Sequence, residues 1–208
     1  MRYLIIISCA LVALLVSCVG VERLSPEDYM SWLEEKGNPL ISEKAVGDYD
    51  FAVQQLPPEA VALRAYGDAA KTEKDWEGIV DEYAVEKRMY VLFRIANNAS
   101  SQPILKQVSA DLGNYQANTQ YMAFGMQKDI KILQAGDTVN CGFFHFERTF
   151  DLTPFSTYML SFDLPQSQED APVTFLYNDQ LLGVGPVKMG VSSLYNVPKL
   201  DITRSTTH

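Results

Sequence analysis

Residues 88–97, RMYVLFRIAN, constrain the fold more than any other stretch of this chain. Met89, Val91, Phe93 and Ile95 fall on one face of an extended segment, and Tyr90 and Leu92 occupy the other. A strand that is apolar on both faces must be covered on both, so this one belongs in the centre of a sheet rather than at its edge. A second strand is expected in GDYDFAVQQLPP, where Tyr49, Phe51 and Val53 alternate with Asp48, Asp50 and Gln54 until Pro57-Pro58 ends the pattern.

The first half of the chain also carries helical signals. In SPEDYMSWLEEKG, Ser25 suits an N-cap, Pro26 the first helical position, and Glu27 and Asp28 the positive end of the helix. Gly37 stops it, and Tyr29, Trp32 and Leu33 form an apolar face that packs on the domain or docks a partner. EAVALRAYG reads equally well as a short helix or a strand. From Thr72 to Lys87 the period is helical, opened by Lys71 or Thr72, with Trp76, Val80 and Tyr83 as its stripe. A helix from Pro103 to Asp111 is expected to stop at Gly113-Asn114.

Beyond residue 119 the pattern is mainly β. YMAFGMQKDIKIL, VNCGFFHFERTF and STYMLSFDL read as strands, separated by QAGDT and DLTPF as turns. VTFLY and QLLGVGPVKM read as two more, paired around Asn178-Asp179. This spacing predicts an α+β fold, mainly an antiparallel β-sandwich, immunoglobulin-like or similar, with a few helices in the N-terminal half. The 11% aromatic content is enough to fill its core.

The leader concerns location. Residues 1–17, MRYLIIISCALVALLVS, place Arg2 ahead of an apolar run from Leu4 to Val16, and the polar ERLSPED follows soon after. The run is too short for the roughly 20 residues a spanning helix needs, and its layout is that of a secretory signal peptide. Leu15-Val16-Ser17-Cys18 resembles the lipobox of bacterial lipoproteins in all four positions. Ile6-Ile7-Ser8-Cys9 has similar letters, with too short an apolar stretch ahead of it. The resemblance implies recognition of Leu15, Val16 and Ser17 by a signal peptidase, cleavage before Cys18, and attachment of a diacylglycerol (and usually an amide-linked acyl chain such as palmitate) to Cys18. Two or more acyl chains make membrane residence stable. Val19 after the cysteine resembles outer-membrane cargo of Gram-negative envelopes. The expected place is therefore the outer membrane facing the periplasm, with surface exposure as the alternative.

Charge narrows the partners. The chain carries 17 basic and 26 acidic side chains, for a net charge of −9. Nucleic-acid binding needs clustered Lys and Arg, so no nucleic-acid partner is expected. Nor does this charge attract anionic lipid, which leaves the lipid anchor as the membrane contact.

Candidates for chemistry are few. NCGFFHFERTF, residues 140–150, gathers Cys141, His145, Glu147 and Arg148. On a continuous strand Cys141 and His145 share a face about 13 Å apart, too far for a thiol–imidazole pair. His145 and Glu147 share that face about 7 Å apart and are the catalytic candidates. A tetrahedral metal site needs three or four ligands, and with Cys18 acylated only Cys141, His145 and His208 remain as Cys or His donors, so no metal and no cofactor is expected. No G-x-S-x-G occurs. Glu73, Glu77, Asp81 and Glu82 lie on one expected helix and read as a solvated face. GVGPV, 183–187, lacks dinucleotide spacing and reads as a bulge or edge feature.

The layout expected is a signal peptide at 1–17, a lipidated tether and short amphipathic helix at 18–44, one α+β domain at 45–202 and a polar tail at 203–208. The function expected is binding, as an assembly or accessory component of an envelope complex with a protein partner. A hydrolase using His145 and Glu147 is one alternative. A carbohydrate-binding lipoprotein is another, and it requires exposed aromatic rings on one flat or grooved face.

Overall fold

The computed structural model describes residues 22–67, 73–85, 87–149, 152–165 and 171–203. The leader, the lipobox residues Leu15 to Cys18, the expected helix start at Lys71 and Thr72, and His208 lie outside the described residues. The fold is α+β, with two main antiparallel sheets.

The first sheet has five strands: β2 (Ile41–Val46), β3 (Tyr49–Leu56), β4 (Arg88–Asn97), β7 (Phe143–Glu147) and β8 (Phe155–Asp163), in the order β2-β3-β4-β8-β7. The doubly apolar segment is β4, at the centre. The second sheet has β5 (Ile130–Gln134), β6 (Asp137–Asn140), β9 (Val173–Asn178) and β10 (Pro186–Val191), in the order β10-β9-β5-β6. A short parallel pair, β1 (Arg23–Leu24) with β11 (Lys199–Leu200), ties the two ends of the described chain together.

Both faces of β4 are used. Met89, Val91, Phe93 and Ile95 share one core with Phe51 of β3, Tyr158 and Leu160 of β8, and Phe175 and Tyr177 of β9. The Phe93 ring lies 4.8 Å from Phe175 and 5.6 Å from Tyr177, so the inner residues of the two sheets interlock there. Tyr90 and Leu92 face the other way, into a second core built with α1 (Pro26–Glu34), α2 (Pro58–Tyr66) and α3 (Glu73–Tyr83). Helices therefore cover one face of the five-stranded sheet, and the smaller sheet shares a core with the other.

Helix α1 begins as its sequence requires. Ser25 caps it by accepting from the Asp28 N–H at 3.2 Å, and Pro26 opens it. Its apolar face packs on the domain: Tyr29 and Leu33 are buried, and Gln54 of β3 donates to the Leu33 carbonyl at 2.7 Å. Residues 26–46 are thus part of the folded body, and the expected boundary at 44/45 falls inside β2. EAVALRAYG is helix, as α2.

Four local readings need correction. Asp111 does not end a helix; its carboxylate accepts from the Asn114 N–H at 2.8 Å and caps α5 (Leu112–Gln120), while only Ile104–Gln107 forms the helix before it, α4. Residues 121–129 are not strand: a π-helical turn, Tyr121–Gly125, runs into a 3₁₀ turn, Met126–Asp129. Met122 and Met126, four apart, both reach the core, which is a helical spacing. Gly125 is required there, because a Cβ would lie 2.9 Å from the Tyr121 ring. VNCGFFHFERTF is two strands in two different sheets, β6 and β7, with Cys141-Gly142 at the crossing. Finally, Asn178-Asp179 is not a two-residue turn; residues 179–185 form a loop between β9 and β10.

Candidate functional site

The helix layer buries Leu56 of β3, Tyr90 and Leu92 of β4 and Met159 of β8, and that core does not extend to β7. β7 is the edge strand of the sheet. The result is a cleft of about 450 Å³ between α2 and β7. Val61, Arg64 and Ala65 of α2 form one wall, and Tyr83 of α3 closes one side. Phe143, His145 and Glu147 of β7 form the other wall, with Arg88 and Tyr90 of β4 and Met159 and Ser161 of β8 completing it.

Strand alternation places Phe143, His145 and Glu147 together. Phe143 and His145 stand side by side, with ring centroids 6.5 Å apart and planes within 23° of parallel. Phe143 is 51% exposed and His145 is exposed, so both rings are accessible. Phe144 and Phe146 point to the opposite face and pack on the shared core of the sheets, each ring 5.1–5.4 Å from Tyr158.

Charges of both signs surround the two rings. The Arg64 guanidinium reaches Glu147 and Glu34 at 3.7 Å each, beyond good hydrogen-bond distance. Arg64 Nε is buried without a hydrogen-bond partner. Arg88, in contrast, is held in a fork by Asp163 at 2.7 and 3.2 Å. These hydrogen bonds raise the Arg88 pKa and lower that of Asp163. Asp163 is exposed and Arg88 partly so, and their pairing orients Arg88 more than it stabilises the fold. The Tyr83 hydroxyl is raised, by burial first and then by Tyr66 and Glu82.

The structure brings His145 and Glu147 into this cleft. No hydrogen bond joins His145 to Glu147 or to the Ser161 hydroxyl among the described residues. It separates Cys141 from both. The thiol sits in the core shared by the sheets and donates to the Phe143 carbonyl at 2.9 Å. Burial pushes its pKa up to about 12, which suits an inert structural cysteine. Among the described residues no group of three or more His, Cys, Asp or Glu side chains is placed to hold a metal ion, and no helix is long and apolar enough to cross a membrane.

Sequence reading reached His145 and Glu147 through their shared face. It missed Arg64, Tyr83, Arg88, Tyr90 and Phe143 as their neighbours. Arg64 sits on the segment whose period did not choose between helix and strand, Arg88 and Tyr90 are brought near by the order of strands in the sheet, and Tyr83 by the packing of α3; Phe143 shares the period-two face of His145 and Glu147, and that period could have found it. Comparison with known protein families, with curated proteins and with solved structures finds no match for this chain.

Proposed function

We propose that this chain is a bacterial envelope lipoprotein, anchored by an acylated Cys18, that acts by binding as an accessory or assembly component of an envelope complex. Its two sheets are read as the halves of a β-sandwich, immunoglobulin-like in kind, that presents the helix-flanked cleft to a partner or ligand. The Leu15-Val16-Ser17-Cys18 segment supports the anchor, and Val19 supports the outer membrane. The observation that carries the binding role is the cleft: it is open, walled by apolar and aromatic side chains, and rimmed by a few polar groups, which is the usual make-up of a ligand site.

Replacing Cys18 with Ala in cells fed labelled palmitate tests the anchor. The expected result is loss of label and of membrane fractionation; retained label sinks the proposal. In-cell crosslinking of the intact lipoprotein, with and without changes at Phe143 and Arg64, tests the binding face.

A hydrolase is the second reading, favoured by His145, Glu147 and Ser161 lining one cleft. It requires that His145→Ala and Glu147→Gln each abolish turnover of an ester or glycoside that the wild-type chain hydrolyses. Glu147 instead faces Arg64, and His145 lacks a hydrogen-bonded nucleophile among the described residues, which supports binding over catalysis.

A further inference from the structure

We propose that the cleft receives a neutral, polyhydroxylated ring, a pyranose unit of a saccharide, laid against the exposed Phe143 ring. This names the ligand class of the binding site proposed above and rests on that reading. Three features select the class. The first is shape: the Phe143 ring, 51% exposed in the cleft, offers a flat apolar face of the kind that the C–H face of a sugar ring covers, with the exposed His145 ring beside it.

The second is charge. Arg64 and Glu147 oppose each other across 3.7 Å, and Arg88 is neutralised by Asp163. With Glu34 also 3.7 Å from Arg64, two guanidiniums face three carboxylates, so no positive charge is left over for an anion, and a cation meets Arg64 at a cost. A neutral ligand meets neither penalty.

The third is hydrogen bonding. Arg64 supplies only donors and Glu147 only acceptors, while Ser161 supplies both. Arg64 has a buried Nε with no partner and no carboxylate within hydrogen-bond distance. Hydroxyl groups both donate and accept, so one saccharide satisfies both sides, and a purely apolar ligand would desolvate them unpaired. The volume, about 450 Å³, lies within the roughly 300–1,000 Å³ typical of small-ligand sites.

The test uses the full-length lipoprotein in a sugar-free detergent such as lauryldimethylamine oxide. Cellotetraose, maltotetraose and chitotetraose are the neutral probes; tetragalacturonate is the anionic one. Saturation-transfer NMR and titration should show at least one neutral probe binding, with saturation strongest on one face of a ring. Phe143→Ala should weaken it by about tenfold, and Arg64→Gln by a similar factor. Phe143→Trp should retain binding and Phe143→Leu should not, which separates loss of a flat ring from loss of fold. Tyr195→Ala, at an exposed tyrosine outside the cleft lining, should change nothing.

Three results overturn the proposal: no neutral probe binding below ~10 mM, equal binding by Phe143→Leu, or tighter binding of tetragalacturonate than of every neutral probe. If sugars fail while Phe143→Ala and Arg64→Gln release a crosslinked envelope partner, the ligand class is wrong and the binding reading stands. If neither sugars nor partner respond to the two changes, the binding reading falls as well.

Discussion

Asp179 organises the loop between the last two long strands, and removing its carboxylate should destabilise the protein by about 3 kcal/mol. Its Oδ1 accepts from the Tyr177 hydroxyl at 2.9 Å and from the N–H groups of Leu181 and Leu182 at 2.9 and 2.8 Å. Its Oδ2 accepts from the Val184 N–H at 2.9 Å. The loop is partly exposed, so water replaces much of what the three N–H groups lose, at about 0.5–1 kcal/mol each. Tyr177 is fully buried, and the loss of its carboxylate acceptor, with only the Tyr121 hydroxyl left beside it, adds about 1 kcal/mol. Neighbouring losses do not add fully, which places Asp179→Ala near 3 kcal/mol. With a urea slope of about 2 kcal/mol/M, the unfolding midpoint should fall by about 1.5 M. Asp179→Asn keeps the Oδ1 acceptor and should cost about 1 kcal/mol. Tyr177→Phe should cost about 1 kcal/mol in the wild-type chain and less in the Asp179→Ala background, where the hydroxyl has already lost its carboxylate acceptor. Urea unfolding followed by circular dichroism reads all four variants. Asp179→Ala within about 0.5 kcal/mol of wild type, or additive losses in the double variant, would refute the reasoning.

Urea unfolding also reads a second buried hydroxyl, that of Tyr158. Tyr158 is fully buried and its hydroxyl has no partner, so Tyr158→Phe should leave stability unchanged or raise it; a loss above about 1 kcal/mol contradicts this. Burial raises the pKa of Tyr29, Tyr158 and Tyr177, helped by Glu59, Tyr121 and Asp179 respectively. These tyrosines hold their protons where unfolded tyrosines ionise, so unfolding releases protons above pH ~10. Their stability is fully present below that pH and falls above it by about 1.4 kcal/mol per pH unit for each tyrosine. An ultraviolet titration should show these rings ionising only as the fold is lost, and ordinary titration near pH 10 with the fold intact counts against it. With a pKa near 12, Cys141 is thiolate in about one molecule in ten thousand at pH 8. A disulfide reagent such as Ellman's should label it only after urea unfolding, and labelling of the native protein at the rate of free cysteine would overturn its placement.

Much of the fold was legible because local pattern and burial agreed. RMYVLFRIAN is apolar on both faces and became the middle strand; Ser25-Pro26 opened the helix it announced. The failures came where one residue type serves two purposes. Asp111 and Gly113-Asn114 suit a helix stop, and the Asp111 carboxylate reverses that reading by capping a new helix. YMAFG is rich in aromatic and apolar residues and suits a strand. Met122 and Met126 entering one core four residues apart make it helical instead. Asn178-Asp179 matches a hairpin pair, yet four bonds to one carboxylate hold a longer loop.

By itself the sequence determined what depends on neighbours along the chain: the alternation of β3, β4 and β8, the cap of α1, the short apolar leader and its lipobox match. It also put His145 and Glu147 on one face, because side chains of a strand alternate with period two. Only the tertiary structure decided what stands opposite them. The break at Cys141-Gly142 sends β6 and β7 to different sheets, which carries the thiol into the core and leaves His145 at an edge. The limit of the helix layer at β7 then opens the cleft and sets Arg64 of α2 against Glu147. Contacts of this kind join residues some 80 positions apart, and their geometry comes from strand order and layer coverage, which no local period records.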